Sequence, residues 1–485
     1  MQRQAVPATS PHPIHDLPIE LLARIFVHCT LLPGKQHTSA FDSPLLLTHI
    51  CRSWRAIALA TRRLWSIFAI DLSDGPHASA RLLSAWLDRS GVYPLVVSLS
   101  QRQTSRSTHS EAHLLPLIAT SIPRWREARI HLRSSILPVL FSLAERDHAA
   151  GIRKRTPVAD PETSQMEEHN CQELPHLRRL SLCVIPDGGT TPKADLKAIT
   201  MFADAPRLTE VTLIKLPPHP DAIWLPWAQL RVLSVQCPDA DAALGALILA
   251  PNLRKLFIKL ERSSRVAADR PAIDVGAEPC PAGERRSHAA LESLSIAFHP
   301  GVDTRRFGDV FAELRLDLPV LKSLTLTDGD PIHFDTVRIS AEHAPVLEHL
   351  TLHVGLGTTS PICELLASLT SARILELREV SEPTLRELLL HLAYDSGDSD
   401  PEFLPHLESI HIDGLSFAHQ FDLPLFCRAL RRREDRIRTF TITVLGTSRS
   451  LRKSAKFEAE LEYLQELRRR GKDLRVQYLC GKLVF

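Results

Sequence analysis

The hydrophobic positions of this chain follow two regimes. Near the N-terminus they recur every three to four residues, and further along they alternate. In "DLPIELLARIFVHC", Leu17, Leu21, Ile25 and Cys29 form one stripe, widened by Leu22 and Phe26. That spacing predicts an amphipathic helix, with Pro18 suited to its first position and Glu20 facing its positive end. In "ICRSWRAIALATRRLW", Ile50, Trp54, Ile57 and Ala58 fall at i, i+4, i+7 and i+8, which predicts a second helix. Cys51 and Trp65 add apolar bulk to it, and Arg52, Arg55, Arg62 and Arg63 crowd the rest. A loop over about 30–43 separates the two helices. Roughly fifty residues of short helices cannot bury all these groups alone. They must pack against the rest of the chain or against another protein.

Residues 71–112 predict a connecting helix and strand. Leu82, Leu83, Trp86 and Leu87 face inward, Gly91 stops the helix and Pro94 precedes the strand. The polar stretch at 100–112 reads as a mobile loop.

From there the chain repeats L-x-x-L-x-L. The copies are "LRRLSL" at 177, "LTEVTL" at 208, "LRVLSV" at 230, "LRKLFI" at 253, "LESLSI" at 291, "LKSLTL" at 321, "LEHLTL" at 347, "ARILEL" at 372 and "LESIHI" at 407. "WREARI" at 125 and "IRTFTI" at 437 are degenerate flanking copies. The last two apolar positions share one face of a strand, and a proline often precedes the first by two residues. One such strand cannot bury its apolar face, but stacked copies can, which is the principle of the leucine-rich-repeat solenoid with its parallel β horseshoe. An ordinary α/β domain with leucine-rich strands is the alternative. Only Asn170 and Asn252 are asparagines, so no asparagine ladder exists, and the repeat length varies; the expectation is an irregular horseshoe. The domain expected at 113–485 carries polar insertions at 146–173 and 261–288, read as loops, and a C-terminal cap at 454–485. In that cap Phe457, Leu461, Leu464 and Leu467 face inward, and Gly471 ends a helix before a final strand.

The residue between the paired strand leucines points to the opposite, concave face. That row reads Ser181, Thr212, Ser234, Phe257, Ser295, Thr325, Thr351, Glu376, His411 and Thr441. Phe257, Glu376 and His411 break the Ser/Thr pattern and are the candidate target-binding residues. Phe257, between Lys255 and Lys259, is either an exposed anchor or core, if its strand is buried on both faces.

Composition narrows the function. The 485 residues carry a net charge of +2 from 58 basic and 56 acidic side chains, which gives no reason to expect nucleic acid as a partner. No apolar run approaches the ~18 residues of a membrane span, so no membrane partner is expected either. The leader at 1–13 lacks an apolar core and reads as disordered rather than as a secretory signal. Nine dispersed cysteines, an odd number, point to reduced thiols in the cytoplasm or nucleus. "RKR" at 153–155 could serve a nuclear role, but three basic residues in a mixed-charge loop are more simply a solvated stretch. "YDSGDSDPE" at 394–402 reads as an acidic solvated loop. There is no phosphate-binding glycine loop, nucleophile elbow or HExxH, and no Cys/His group with structural-zinc spacing. His349 and His353 share a strand face but lie about 13 Å apart. No catalytic residue, metal ligand or cofactor is expected, and the chain reads as a non-enzyme.

"LPIELLARIF" followed by "PLLLTHICRSWRAIALATRRLW" resembles an F-box, in the version common in the large fungal F-box families. The resemblance covers about 14–70 and rests on separated elements in order: Leu17-Pro18, Glu20, Leu21-Leu22, Ile25-Phe26, Leu45, Cys51-Arg52, Trp54-Arg55, Ile57-Ala58 and Leu64-Trp65. The stretch at 30–43 is longer than the usual F-box connection. The resemblance implies a three-helix module docking on a Skp-family adaptor, which binds a cullin. It further implies adaptor contacts from Leu17, Pro18, Leu21, Leu22, Ile25, Phe26, Leu45, Ile50, Cys51, Trp54, Ile57, Leu64 and Trp65. The expected function is then the substrate-recognition subunit of a Skp–cullin–F-box ubiquitin ligase. The alternatives are an adaptor-bound scaffold without a degradation target and an unrelated repeat-based binding protein whose helical start packs internally.

Overall fold

The computed structural model describes residues 13–30, 44–73, 76–101, 114–153, 174–186, 199–238, 240–261, 286–299, 316–328, 343–353, 362–394, 402–415, 422–444 and 455–478. The expected leader through residue 12, the loop at 31–43, the loop at 102–112, residues 154–173 and 262–285 of the two insertions, and most of the acidic loop at 394–402 lie outside them. The chain divides into two compact units, Met1–Leu208 and Thr209–Phe485.

The first unit opens with a 3-10 turn, Pro13–Asp16, and then α1 (Ile19–Thr30), α2 (Leu45–Ile50) and α3 (Arg52–Ala60). The Pro18 carbonyl accepts from the amides of Leu21 and Leu22, so Pro18 stands one place before the first helical residue rather than at it. The expected single helix from Ile50 onward is broken at Cys51. That residue is extended, at φ −154° and ψ 170°, ends α2, and caps α3 by accepting from the Trp54 amide at 3.4 Å. Ile50 therefore sits on a different helix from Trp54 and leaves the stripe.

The helices share a core of Leu22, Phe26, Val27, Leu47, Ile57, Ala58, Leu64 and Trp65. Trp65 is fully buried; its indole donates to the Ala58 carbonyl at 2.9 Å and its ring meets Trp86 edge-on at 4.8 Å. Trp86 belongs to α4 (Pro76–Ser90) and donates to the Ile67 carbonyl, so this helix closes over the three-helix cluster. Gly91 ends α4 at φ +57°, a conformation that a side chain disfavours.

The strands of this unit are β1 (Ile67–Asp71), β2 (Leu95–Ser100), β3 (Trp125–Arg133) and β4 (Arg179–Ile185). They pair in that order, all parallel. The segment 71–112 is thus more than a connection: its strand β2, and β1 at the end of the 14–70 module, are sheet members before the first L-x-x-L-x-L copy. Between the strands lie α5 (Leu115–Ser121) and α6 (Ile136–Arg153). The α6 helix runs well into the insertion expected at 146–173, because the apolar residues of "ILPVLFSLA" nucleate a helix that propagates into the polar stretch.

The second unit holds β5 (Glu210–Ile214), β6 (Val232–Cys237), β7 (Lys255–Leu260), β9 (Ser293–Phe298), β11 (Ser323–Asp328), β12 (His349–His353), β13 (Ile374–Arg378), β14 (Ser409–Leu415), β15 (Thr439–Val444) and β16 (Asp473–Tyr478). Each pairs in parallel with the next. Every L-x-x-L-x-L copy from residue 208 onward supplies one strand, which agrees with a solenoid-like repeat. Between them lie α7 (Ala240–Leu249), α8 (Ile362–Ser368), α9 (Glu382–Ala393), α10 (Leu423–Arg432) and α11 (Ala455–Arg469).

A small separate pair, β8 (Arg286–Ser287) with β10 (Leu316–Asp317), is also parallel. It falsifies the loop reading for the end of the 261–288 insertion: His288 is buried and its Nε2 lies 3.1 Å from the Ala250 carbonyl. The C-terminal segment forms the expected helix and final strand, α11 and β16, while the side chains of Phe457 and Leu461 lie outside the described ones. Leu464 and Leu467 are buried, and Gly471 leaves α11 at φ +88°. The cluster "RRRGK" is satisfied internally, since Lys472 donates to the Glu434 and Ile437 carbonyls and Arg470 pairs with Glu434 and Glu466.

Two devices repeat along the sheet. The prolines before the first leucine sit at the second position of a turn. The amides of Leu208, Leu253, Leu321 and Leu347 bond to the carbonyls of Ala205, Ala250, Leu318 and Ala344, one residue before each proline. The residue after that leucine forms a second row across neighbouring strands: Arg231, Arg254, Glu292, Lys322, Glu348, Arg373, Glu408 and Arg438, linked amide to carbonyl. From Arg254 onward its charge alternates in sign, with ion pairs Arg254–Glu292 at 3.7 Å, Arg373–Glu408 at 2.8 Å and Arg438–Glu408 at 3.7 Å.

Candidate docking surfaces

The α1 stripe is wide enough to be used on two sides. Leu22, Phe26 and Val27 face the core, which leaves Leu17, Pro18, Ile19, Leu21 and Ile25 exposed. On α2, Leu47 is buried while Leu46 and Ile50, one turn apart, are exposed. The largest exposures are Ile19 at 64%, Leu46 at 55% and Ile50 at 52%. Apolar side chains this open, on helices that already share a closed core, form a surface suited to a partner.

The thirteen candidate adaptor residues therefore separate. Leu17, Pro18, Leu21, Ile25 and Ile50 are exposed, whereas Leu22, Phe26, Ile57, Leu64 and Trp65 are closed inside the unit's own core and cannot touch a partner. Leu45 and Trp54 are half-buried against that core, Trp54 lying 4.8 Å from Phe26. Cys51 acts as the cap of α3. The stripe did not indicate Ile19 and Leu46. One signal for Leu46 was available, because three successive leucines at 45–47 on a six-residue helix cannot all point inward.

On the sheet of the second unit the predicted row is in register without a slip. Thr212, Ser234, Phe257, Ser295, Thr325, Thr351, Glu376, His411 and Thr441 lie opposite one another on successive strands, followed by Arg475. Ser181 holds the corresponding place on β4 of the first unit, opposite Arg129. The flanking positions are core, as Leu256 and Ile258 are buried on either side of Phe257. Phe257 itself is 41% exposed between exposed Lys255 and Lys259, which decides against core.

Glu376 is engaged within the sheet. Thr351 Oγ1 donates to its Oε2 at 3.3 Å, His349 Nε2 lies 3.3 Å from its Oε1, and Arg378 is 3.8 Å away. His353 faces its own carboxylate, Glu379, at 3.0 Å. Among the described residues His411 and the two lysines beside Phe257 make no ion pair or side-chain hydrogen bond, so they stand open to a partner.

Behind the sheet the helices bring together a group that sequence spacing hid. The ligand-type atoms of Cys363 on α8 and of Glu387 and His391 on α9 all lie within 4.8 Å of one another. Burial, with the Glu387 carboxylate adding to it, pushes the Cys363 thiol up to about 12. The Glu and His are four residues apart on one helix, but the cysteine comes from the preceding helix, across β13.

No described helix is long and apolar enough to cross a membrane. No protein-family model matches the chain, and no curated protein is similar to it.

Proposed function

We propose that the chain is the substrate-recognition subunit of a Skp–cullin–F-box ubiquitin ligase. The helices at 14–70 act as an F-box that docks a Skp-family adaptor, and the strand repeat acts as an irregular leucine-rich-repeat domain that binds a protein target. The chain performs no chemistry and needs no cofactor. It works by proximity, holding the target where a ubiquitin-charged enzyme recruited through the cullin can reach it, in the cytoplasm or the nucleus.

The observation that carries this reading is the exposed apolar set on α1 and α2, which stays uncovered although the same helices close a core of their own. A helical start that packed only against its own chain would bury those side chains. The target side is supported by the row through Phe257, a sheet face with one apolar anchor amid Ser and Thr.

The test is co-purification of the full-length chain with adaptor and cullin. Changing Leu17 and Pro18 together to alanine removes apolar contact and the fixed φ of the proline ahead of α1, while the backbone carbonyl at position 18 can still accept from the Leu21 and Leu22 amides. It weakens the complex by several kcal/mol if both are hot spots, up to about 4 kcal/mol. Full adaptor retention by the double variant, with unchanged circular dichroism, would overturn the assignment.

A further inference from the structure

Most charged and metal-type side chains in the second unit already have partners. His349 and His353 each face a separate carboxylate, Lys472 is held by two carbonyls, and buried Arg433 donates to the Phe403 and Leu404 carbonyls. The trio on α8 and α9 differs. Among the described residues, Cys363, Glu387 and His391 have no hydrogen-bond or ion-pair partner, yet their ligand atoms converge within 4.8 Å. A buried thiol, a carboxylate and an imidazole thus stand close enough together for one ion to reach all three. We propose that Cys363, Glu387 and His391 form a binding site for one zinc-class divalent cation, with a fourth position open to water.

The donor set selects the ion. A sulfur ligand is wrong for calcium and magnesium, which take oxygen, whereas sulfur, nitrogen and carboxylate oxygen together suit zinc. With bonds of about 2.3 Å to sulfur and about 2.0–2.2 Å to nitrogen and oxygen, ligand atoms around a tetrahedral zinc stand about 3.5 Å apart. The observed spread, within 4.8 Å, exceeds that spacing by little more than about 1 Å. A bound thiolate and carboxylate balance the two positive charges of the cation, so the buried side of the site gains no net charge.

The fold also prepares the ligands. Glu387 and His391 are one turn apart on the same face of α9, the spacing that lets two helix residues share one ion. The His391 ring stacks on Phe403, with centroids 5.1 Å apart and planes 25° from parallel, which fixes the ring plane and leaves its nitrogens at the edge for a ligand. Because α8 precedes β13 and α9 follows it, a bound ion ties together the two helices that bracket the strand carrying Glu376. The role is a clamp on that part of the sheet, and it does not depend on adaptor docking.

The probe is cobalt(II), added to the full-length chain after chelator treatment under reducing conditions. The expected result is one cobalt per chain, with a thiolate-to-metal charge-transfer band and the visible bands of a tetrahedral ion. Cys363→Ser should abolish the charge-transfer band. His391→Gln and Glu387→Gln, both at partly exposed positions, should each weaken zinc competition by more than the about 10–100-fold that losing a supporting hydrogen bond costs. The wild-type thermal midpoint should rise with added zinc, and that of the variants should not. A wild-type chain that shows no thiolate band would overturn the site. So would a band that survives in Cys363→Ser, since it would belong to another of the nine cysteines. If Cys363→Ser fails to fold, His391→Gln decides: affinity equal to wild type overturns the proposal.

Discussion

Replacing Leu21 and Ile25 together by alanine separates a docking surface from a core. The two residues lie one turn apart on the outer face of α1 and are 44% and 41% exposed, so a little under half of each side chain is still open to water in the free protein. Fully burying a leucine or isoleucine gains about 1.5–3 kcal/mol, so covering the remainder gains about 0.7–1.3 kcal/mol for each. Removing both should weaken adaptor binding by about 1.5–2.5 kcal/mol, or roughly tenfold to seventyfold in Kd. Neither residue belongs to the core formed by Leu22, Phe26 and Trp65, but the part of each already covered in the free protein is lost too, so stability should fall by at most about 0.8–1.8 kcal/mol per residue. Calorimetric titration of the purified adaptor with the double variant, beside a urea titration of the variant alone, measures both quantities. Unchanged affinity would show that this face is not the docking surface. A large fall in stability with unchanged affinity would show that the face is covered within the chain instead.

Trp65→Ala should do the reverse: it empties a fully buried site and orphans the Ala58 carbonyl, and it should lower stability by about 3–5 kcal/mol in denaturant titration. Phe257→Ala should reduce capture of the protein target about tenfold while leaving adaptor binding unchanged, if the ring contributes about 1.4 kcal/mol; equal capture in a pull-down would remove Phe257 from the interface. Gly471→Ala should cost about 1–2 kcal/mol from its φ of +88° alone, since an added Cβ would meet nothing within 4 Å; an unchanged melting temperature would refute that reasoning.

The strands of the second unit were legible because their signal is local. Two leucines spaced by two fix which residues face the core, and in a parallel sheet of near-identical units that choice also fixes the register of Phe257, Glu376 and His411. The helical start was only half legible. A stripe shows which residues are apolar, but not which side a single chain uses, so Leu22 and Phe26 looked equivalent to Leu21 and Ile25. The break at Cys51 was hidden because an extended residue between two short helices keeps the hydrophobic count almost unchanged. β1 and β2 were legible as strands but not as members of the repeat sheet, because the position three residues before Phe68 and Val97, where the repeats carry leucine, holds Trp65 and Pro94. The cluster of Cys363 with Glu387 and His391 depends on how two helices approach each other, a tertiary fact that no linear spacing encodes.

The row of alternating charge at the strand entrances bears on how the chain avoids mispairing. The buried leucines of successive repeats are nearly interchangeable, so apolar burial alone would accept a strand that skipped its neighbour and paired with the next but one. Along this row such a skip always sets like against like: Glu292 against Glu348, Lys322 against Arg373, Glu348 against Glu408, Arg373 against Arg438. Like charges placed opposite each other on adjacent strands are disfavoured by about 0.2–1 kcal/mol relative to a neutral pair, and matched ones are favoured by a similar amount. The gap is small against the total stability of the sheet, but it acts at each step where an incoming strand chooses its place. The sign pattern thus works as a parity check on assembly, accepting the adjacent repeat and rejecting the one beyond it.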